Sequence, residues 1–182
     1  MRKALVLGTA VAAAATVALG APASAETATF TLTAAANSVS ISVPANGASL
    51  GSTTAGSLTH SAQLGTVTVT DDRAKLLPQW TVSVASTPFV LSGGDANDPD
   101  QAVPAASVSY TPGLATLGGP GSGVYTPTPA LTLAAPAVVG AYVGVSGSRT
   151  VSWNPTVGFT LRASQLAGTY TGTITHSVTV IS

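Results

Sequence analysis

Threonine or serine alternates with an apolar residue along much of this chain, and that period of two constrains the fold more than anything else in it. Thr27 to Thr33 sets Ala28, Phe30 and Leu32 on one face and four threonines on the other. Ser38 to Val43 repeats the pattern with Val39, Ile41 and Val43, and Thr66 to Thr70 with Val67 and Val69. Trp80 to Val84 turns Trp80, Val82 and Val84 one way and Thr81 and Ser83 the other. Ser107–Tyr110, Val138–Val145, Thr150–Trp153, Val157–Leu161 and Tyr170–Ile181 continue it. Successive side chains on a strand point to opposite faces, so strict alternation predicts strands half buried in antiparallel sheets. Threonine suits the outer face because it is β-branched and polar.

Turn formers punctuate these runs: Pro44-Ala45-Asn46-Gly47, Gly93-Gly94-Asp95 and Gly118 to Gly123. With 19 Gly and 12 Pro and no long helical period, the pattern predicts an all-β chain. The expected architecture is a single antiparallel β-sandwich of immunoglobulin-like, Greek-key type. The one short helical candidate is Arg162–Leu166, and the Gly/Pro-rich stretch Pro112–Pro129 reads as a flexible loop. Leu166-Ala167-Gly168-Thr169-Tyr170 has the spacing of a tyrosine corner, in which a Tyr hydroxyl bonds upstream backbone. A Tyr that simply leads a strand is the alternative.

Only 7% of the residues are charged. Arg2 and Lys3 open an apolar, Ala-rich run ending at Ala23-Ser24-Ala25, the layout of a secretory signal peptide. Residues 1–25 are therefore expected to be a leader and residues 26–182 one domain. That domain keeps Arg73, Lys75, Arg149 and Arg162 against Glu26, Asp71, Asp72, Asp95, Asp98 and Asp100, a net charge of about −2. Four scattered basic residues form no stripe for a phosphate backbone, which argues against nucleic-acid binding. No second apolar run is long enough for a membrane-spanning helix. The absence of cysteine excludes disulfides and thiolate metal centres.

Candidate chemistry is sparse. His60 sits in the polar stretch Ser57-Leu58-Thr59-His60-Ser61, and His176 falls in phase with Ile174 and Val178 on the face read as buried. His-Glu-x-x-His does not occur, and the Gly-x-Ser-x-Gly letters at Gly47-Ala48-Ser49-Leu50-Gly51 precede no helical pattern, so they make no nucleophile elbow. No catalytic residue and no cofactor is expected. Asp95, Asn97, Asp98 and Asp100 offer oxygen ligands of the kind calcium takes. The sixth and twelfth places of an EF-hand loop, however, hold Asp100 and Ala106, and a solvated turn is the alternative. Asp71-Asp72-Arg73-Ala74-Lys75 reads as a solvated connection with local ion pairs of little worth. Trp80 looks inward by phase. Trp153, at a strand end before Asn154-Pro155, is a candidate for half-exposed ligand contact, with core packing the leading reading for both tryptophans.

Two segments carry a family resemblance. Leu64-Gly65-Thr66-Val67-Thr68-Val69-Thr70-Asp71-Asp72-Arg73 leads to Gln79-Trp80-Thr81-Val82-Ser83-Val84, and Ala167-Gly168-Thr169-Tyr170 leads to Thr175-His176-Ser177-Val178. Together they resemble the WxL domain of Gram-positive cell-surface proteins, especially short secreted actinobacterial forms. Trp80-Thr81-Val82 stands at the first Trp-x-Leu motif with Val for Leu. His176-Ser177-Val178 stands at the second with His for Trp. The resemblance implies non-covalent attachment to peptidoglycan, with Trp80, Trp153 and His176 as the residues to examine for binding. No Leu-Pro-x-Thr-Gly signal and no lipobox cysteine occurs. The expectation is a secreted, non-catalytic protein of the cell wall that binds peptidoglycan or another wall glycan. The rival expectations are a subunit of a surface fibre or layer assembled through strand edges, and a secreted hydrolase.

Overall fold

A computed structural model describes residues 38–44 and 48–181. The leader, the Thr27–Thr33 run and the Ala45-Asn46-Gly47 turn lie outside the described residues. The first strands are β1 (Val39–Ser42), β2 (Thr59–Gln63), β3 (Val67–Asp71), β4 (Gln79–Ser86), β5 (Phe89–Leu91), β6 (Ala102–Val103) and β7 (Val108–Thr111). They are followed by β8 (Ala115–Gly118), β9 (Ser122–Pro127), β10 (Leu131–Thr132) and β11 (Ala137–Ser146). The last are β12 (Arg149–Trp153), β13 (Thr156–Thr160), β14 (Tyr170–Thr171) and β15 (Ile174–Ile181). A single 3-10 turn at Ala105–Ser107 is the only helical element among the described residues. The chain is all-β and sandwich-like, built from antiparallel sheets, as the alternation predicts.

Sheet order explains the shape. One sheet runs β1-β3-β12-β8 and a second runs β10-β7-β13-β2. β2 passes directly into β3, β7 into β8 and β12 into β13, and the neighbour order is kept. These two sheets are thus halves of one layer bent across three adjacent strands. At the bend the Leu64 N–H donates to Pro155 O at 2.9 Å and the Gly65 N–H to Asn154 Oδ1 at 3.0 Å. Gly65 (φ +97°) and Gly113 (φ +75°) take the left-handed backbone that turning there requires. The opposite layer bends likewise. Its sheets run β15-β4-β11-β9 and β14-β5-β6, and β4 leads to β5 as β14 leads to β15. Thr87 and Thr173 bridge that bend, each backbone N–H donating to the other residue at 2.9 Å.

The core lies between the layers. Val67, Val69, Val82, Val151 and Val157 are fully buried, as are Trp80 and Tyr142. Trp80 stacks on Tyr142 (5.1 Å between ring centroids), and Tyr125 of the same layer stacks on Trp153 of the other (5.4 Å). Ring area of this kind dominates core energetics. Tyr125 and Tyr142 also lie over Gly140 and Gly123 of the paired strand, where a Cβ has no room. Within Pro112–Pro129, the stretch expected to be a flexible loop, Gly123 seats the Tyr142 ring and β9 pairs with β11, while β8 pairs with β12. Ala115 to Leu117 and Val124 to Thr126 keep the alternation. The second correction is Arg162–Leu166, which is a turn rather than a helix, closed by Gln165 N–H donating to Arg162 O at 3.1 Å. Five residues before a glycine cannot offset the cost of helix nucleation.

The outer faces of the two layers differ. On β1-β3-β12-β8 the register aligns Ser42, Thr68, Ser152 and Thr116 in one row and Ser40, Thr70 and Thr150 in the next. Beyond the bend, Thr156 stands beside Thr111, and Ser61 and Ser109 flank Gly158. The opposite layer presents instead a mixed face, with Val124, Val143 and Ile181 exposed around Gln79.

The charged segment after β3 is a third correction. Asp71 is 1% exposed, the one buried charged residue among the described residues. Arg73 clamps it with Nε donating to Oδ1 at 2.8 Å and Nη2 to Oδ2 at 2.7 Å. Burial alone would push the Asp71 carboxyl up, but the Arg73 hydrogen bonds and charge outweigh it and hold the carboxyl below its usual range. The Trp80 indole N–H, which meets no acceptor at hydrogen-bond geometry, adds a smaller pull in the same direction. Arg73→Ala leaves this carboxylate buried and unpaired. It is expected to lower unfolding stability by about 3 kcal/mol in urea titration, far more than loss of a solvated pair would.

Candidate functional site

Two features gather the polar and aromatic groups that could act on a ligand. The first is internal and joins the layers. Trp153 Nε1, on β12, donates to Tyr110 Oη on β7 at 3.1 Å, and Tyr110 Oη lies 3.0 Å from His176 Nε2 on β15. An indole N–H can only donate, so the Tyr110 oxygen accepts from it, and the direction of its second bond follows the His176 tautomer. His176 Nδ1 is buried without a partner. Burial pushes the His176 pKa down to about 4 and the Tyr110 pKa up to about 12, the latter opposed by the Trp153 bond.

The structure thus brings together two of the three residues singled out by sequence, Trp153 and His176, but inside the protein. Trp153 is 2% exposed and Trp80 is fully buried, so neither indole offers a face to a ligand. Core packing, the leading reading for both tryptophans, holds, and the half-exposed alternative for Trp153 does not: its strand-end position lies beneath Tyr125 and Tyr110. Trp80 and His176 sit on the adjacent strands β4 and β15, where Val82 pairs with Val178. The two WxL-like segments are therefore neighbours in one sheet.

The second feature is a surface cleft of about 560 Å³ between residues 48–57 and 165–172. Its floor is apolar: Phe89 of β5, Val103 of β6 and Phe159 of β13. Phe89 meets Phe159 edge to face at 4.9 Å, and the His60 ring stacks over Phe159 at 6.2 Å. His60 Nε2 donates to Leu50 O at 2.6 Å and so ties one wall to β2. The other wall is a tyrosine corner, as the spacing suggested. The Tyr170 hydroxyl donates to Leu166 O at 2.7 Å, four residues upstream, and lies 3.2 Å from Asp100 O. Gln165 Nε2 donates to both Tyr170 Oη and Asp100 O. Ser49, Ser52, Thr53 and Thr169 add hydroxyls, and among the described residues no Asp, Glu, Lys or Arg lines the cleft. A half-open cleft of this size with an apolar floor and a few fixed polar groups has the character of a small-ligand site. Sequence reading missed it because residues 48–57 carry no periodic signal. The tyrosine corner was the one cue to its second wall.

The calcium candidates do not converge. Asp95 Oδ1 accepts the Asn97 N–H at 2.8 Å, and Asp98 Oδ1 accepts the Asp100 N–H at 2.9 Å. Asp98 Oδ2 takes Gln101 Nε2 and Asp100 Oδ1 takes the Ser164 hydroxyl, both at 2.6 Å. These are local turns that brace the loop against the tyrosine corner. Among the described residues no group of three or more His, Cys, Asp or Glu is placed to hold a metal ion.

Two outcomes test this geometry. Tyr170→Phe loses the corner bonds, and melting should report a loss of about 1 kcal/mol. The depressed folded-state pKa of His176 makes neutral imidazole the form that folding favours. Its contribution is complete above the unfolded value of 6.5 and is lost as pH falls from there to about 4. His176→Gln should remove that part of the acid slope in urea titrations at pH 4 and 7.

No family model, no curated protein and no solved structure matches the chain.

Proposed function

We propose that the chain is a secreted, non-catalytic protein that associates non-covalently with the cell wall by holding peptidoglycan or another wall glycan in the cleft beside Tyr170. The observation that carries this reading is the lining of that cleft. Its rings, Phe89, Phe159 and His60, give apolar faces and edges; its walls give hydroxyls and backbone groups; it has no formal charge. A sugar ring has the matching character, with apolar C–H faces bordered by hydroxyls and amides. A charged metabolite or a nucleic acid would find no counter-ion there. The WxL-like segments support the same reading, and both histidines are engaged, His60 with Leu50 and His176 with Tyr110, rather than poised as bases.

Mature protein mixed with purified peptidoglycan is expected in the pellet after centrifugation. Ala167 is exposed at the cleft wall, and Ala167→Trp fills the space, returning protein to the supernatant with an unchanged melting temperature. Wild-type protein that stays wholly in the supernatant overturns the proposal.

A further inference from the structure

The hydroxyl rows of the bent layer lie outside the cleft and serve none of the core contacts. Four antiparallel strands hold Ser42, Thr68, Ser152 and Thr116 opposite one another, with Ser40, Thr70 and Thr150 two residues along. Inward neighbours of these residues, Val67, Val69 and Val151, are fully buried, so the hydroxyls are fixed on the outer side by the pleat. Thr68 and Ser152 already share a hydrogen bond of 2.9 Å, which sets the lateral alignment of the row. Adjacent strands stand about 4.8 Å apart and alternate residues about 7 Å apart along a strand. Beyond the bend the pattern continues, and the missing side chain of Gly158 leaves a shallow depression ringed by Thr59, Ser61, Ser109 and Thr160. No row contains a charged residue. On the other layer the Thr179–Thr81–Ala141–Thr126 row is interrupted by Ala141, and the row beside it exposes Val124, Val143 and Ile181, so no hydroxyl row there crosses all four strands.

Solubility alone needs polar groups but not rows in register. A regular, charge-free set of donors and acceptors matches a partner that repeats its own hydroxyls at a spacing of one sugar ring, the same order as the strand spacing. We infer that this face is a second contact surface for an extended glycan chain laid across the strands along the Ser42–Thr68–Ser152–Thr116 row. The inference rests on the wall-glycan reading above and adds to it a surface separate from the cleft. Engagement at two places on one polymer raises apparent affinity through effective concentration, without stronger contacts at either.

The test uses the full mature protein and purified peptidoglycan. Thr68→Val, Thr150→Val and Ser152→Ala combined keep strand shape, and removing both partners of the Thr68–Ser152 bond leaves no orphaned group between them. The apparent Kd should rise about tenfold. The same kind of change on the opposite layer, Thr81→Val with Thr179→Val, should leave it unchanged. If the triple variant fails to fold, Ser40→Ala, Ser42→Ala and Thr116→Val on the flanking strands take its place, with the same expected direction. Wild-type protein that does not bind overturns the wall-glycan reading and this inference with it. Wild-type binding that the row variants leave intact, while Ala167→Trp abolishes it, overturns the hydroxyl face alone. A concentration-dependent dimer in sedimentation velocity that the row variants abolish assigns the face to a second copy of the chain, and also overturns it.

Discussion

The shared bend in one layer is the constraint on which the rest depends. Three neighbouring strands break at the same level, at Leu64–Thr66, at Pro112–Leu114 and at Asn154-Pro155. A break in one strand would leave its neighbours' backbone groups unpaired, a cost that proteins rarely carry. Here the side chain of Asn154 spans the gap, accepting from the Gly65 N–H and donating to Gln63 Oε1 at 2.7 Å. Below the bend, β13 carries Phe159 to the floor of the cleft. Above it, β12 carries Trp153 and Val151 into the core and Thr150 and Ser152 to the surface. One corner therefore decides which residues line the cleft and which meet the core.

The interior is held across the layers by rings and one polar relay. Trp80, Tyr142, Tyr125 and Trp153 form a continuous pile, and Trp153 then passes a hydrogen bond to Tyr110 and on to His176. A relay of this kind ties the outermost strand of one layer to the middle of the other. Its unpartnered Nδ1 is the group that departs from full satisfaction, and a neutral imidazole tolerates that far better than a charged one.

Much of the fold was legible because alternation is a local signal. β1, β3, β4, β11, β12, β13 and β15 lie where it ran, and Trp80, Val82 and Val84 point inward as its phase required. The short strands β5, β6 and β10 have too few residues to display a period. β8 and β9 were hidden because Gly and Pro usually mark turns, whereas Gly123 of β9 is there to seat the Tyr142 ring. The candidate site was far less legible. A cleft wall such as residues 48–57 acquires meaning only when β2 brings it opposite the tyrosine corner. Asp71 was misread because neighbouring charges in sequence suggest water, although the phase of Val67 and Val69 already sets it on the inward face. The alignment of Thr68 with Ser152, 84 residues apart, is a property of pairing rather than of sequence.

The burial of Asp71 under Arg73 has a consequence for the conditions in which the molecule can work. Mobile ions screen charges they can surround, over about 8 Å at physiological ionic strength, and reach buried pairs much less. The one ion pair among the described residues is buried, and the cleft and the hydroxyl rows contain no charge at all. Neither fold nor surface offers salt much to act on. A protein built this way keeps its shape from dilute water to brine, a tolerance that suits the extracellular role proposed above, in which the surrounding electrolyte is not under the cell's control.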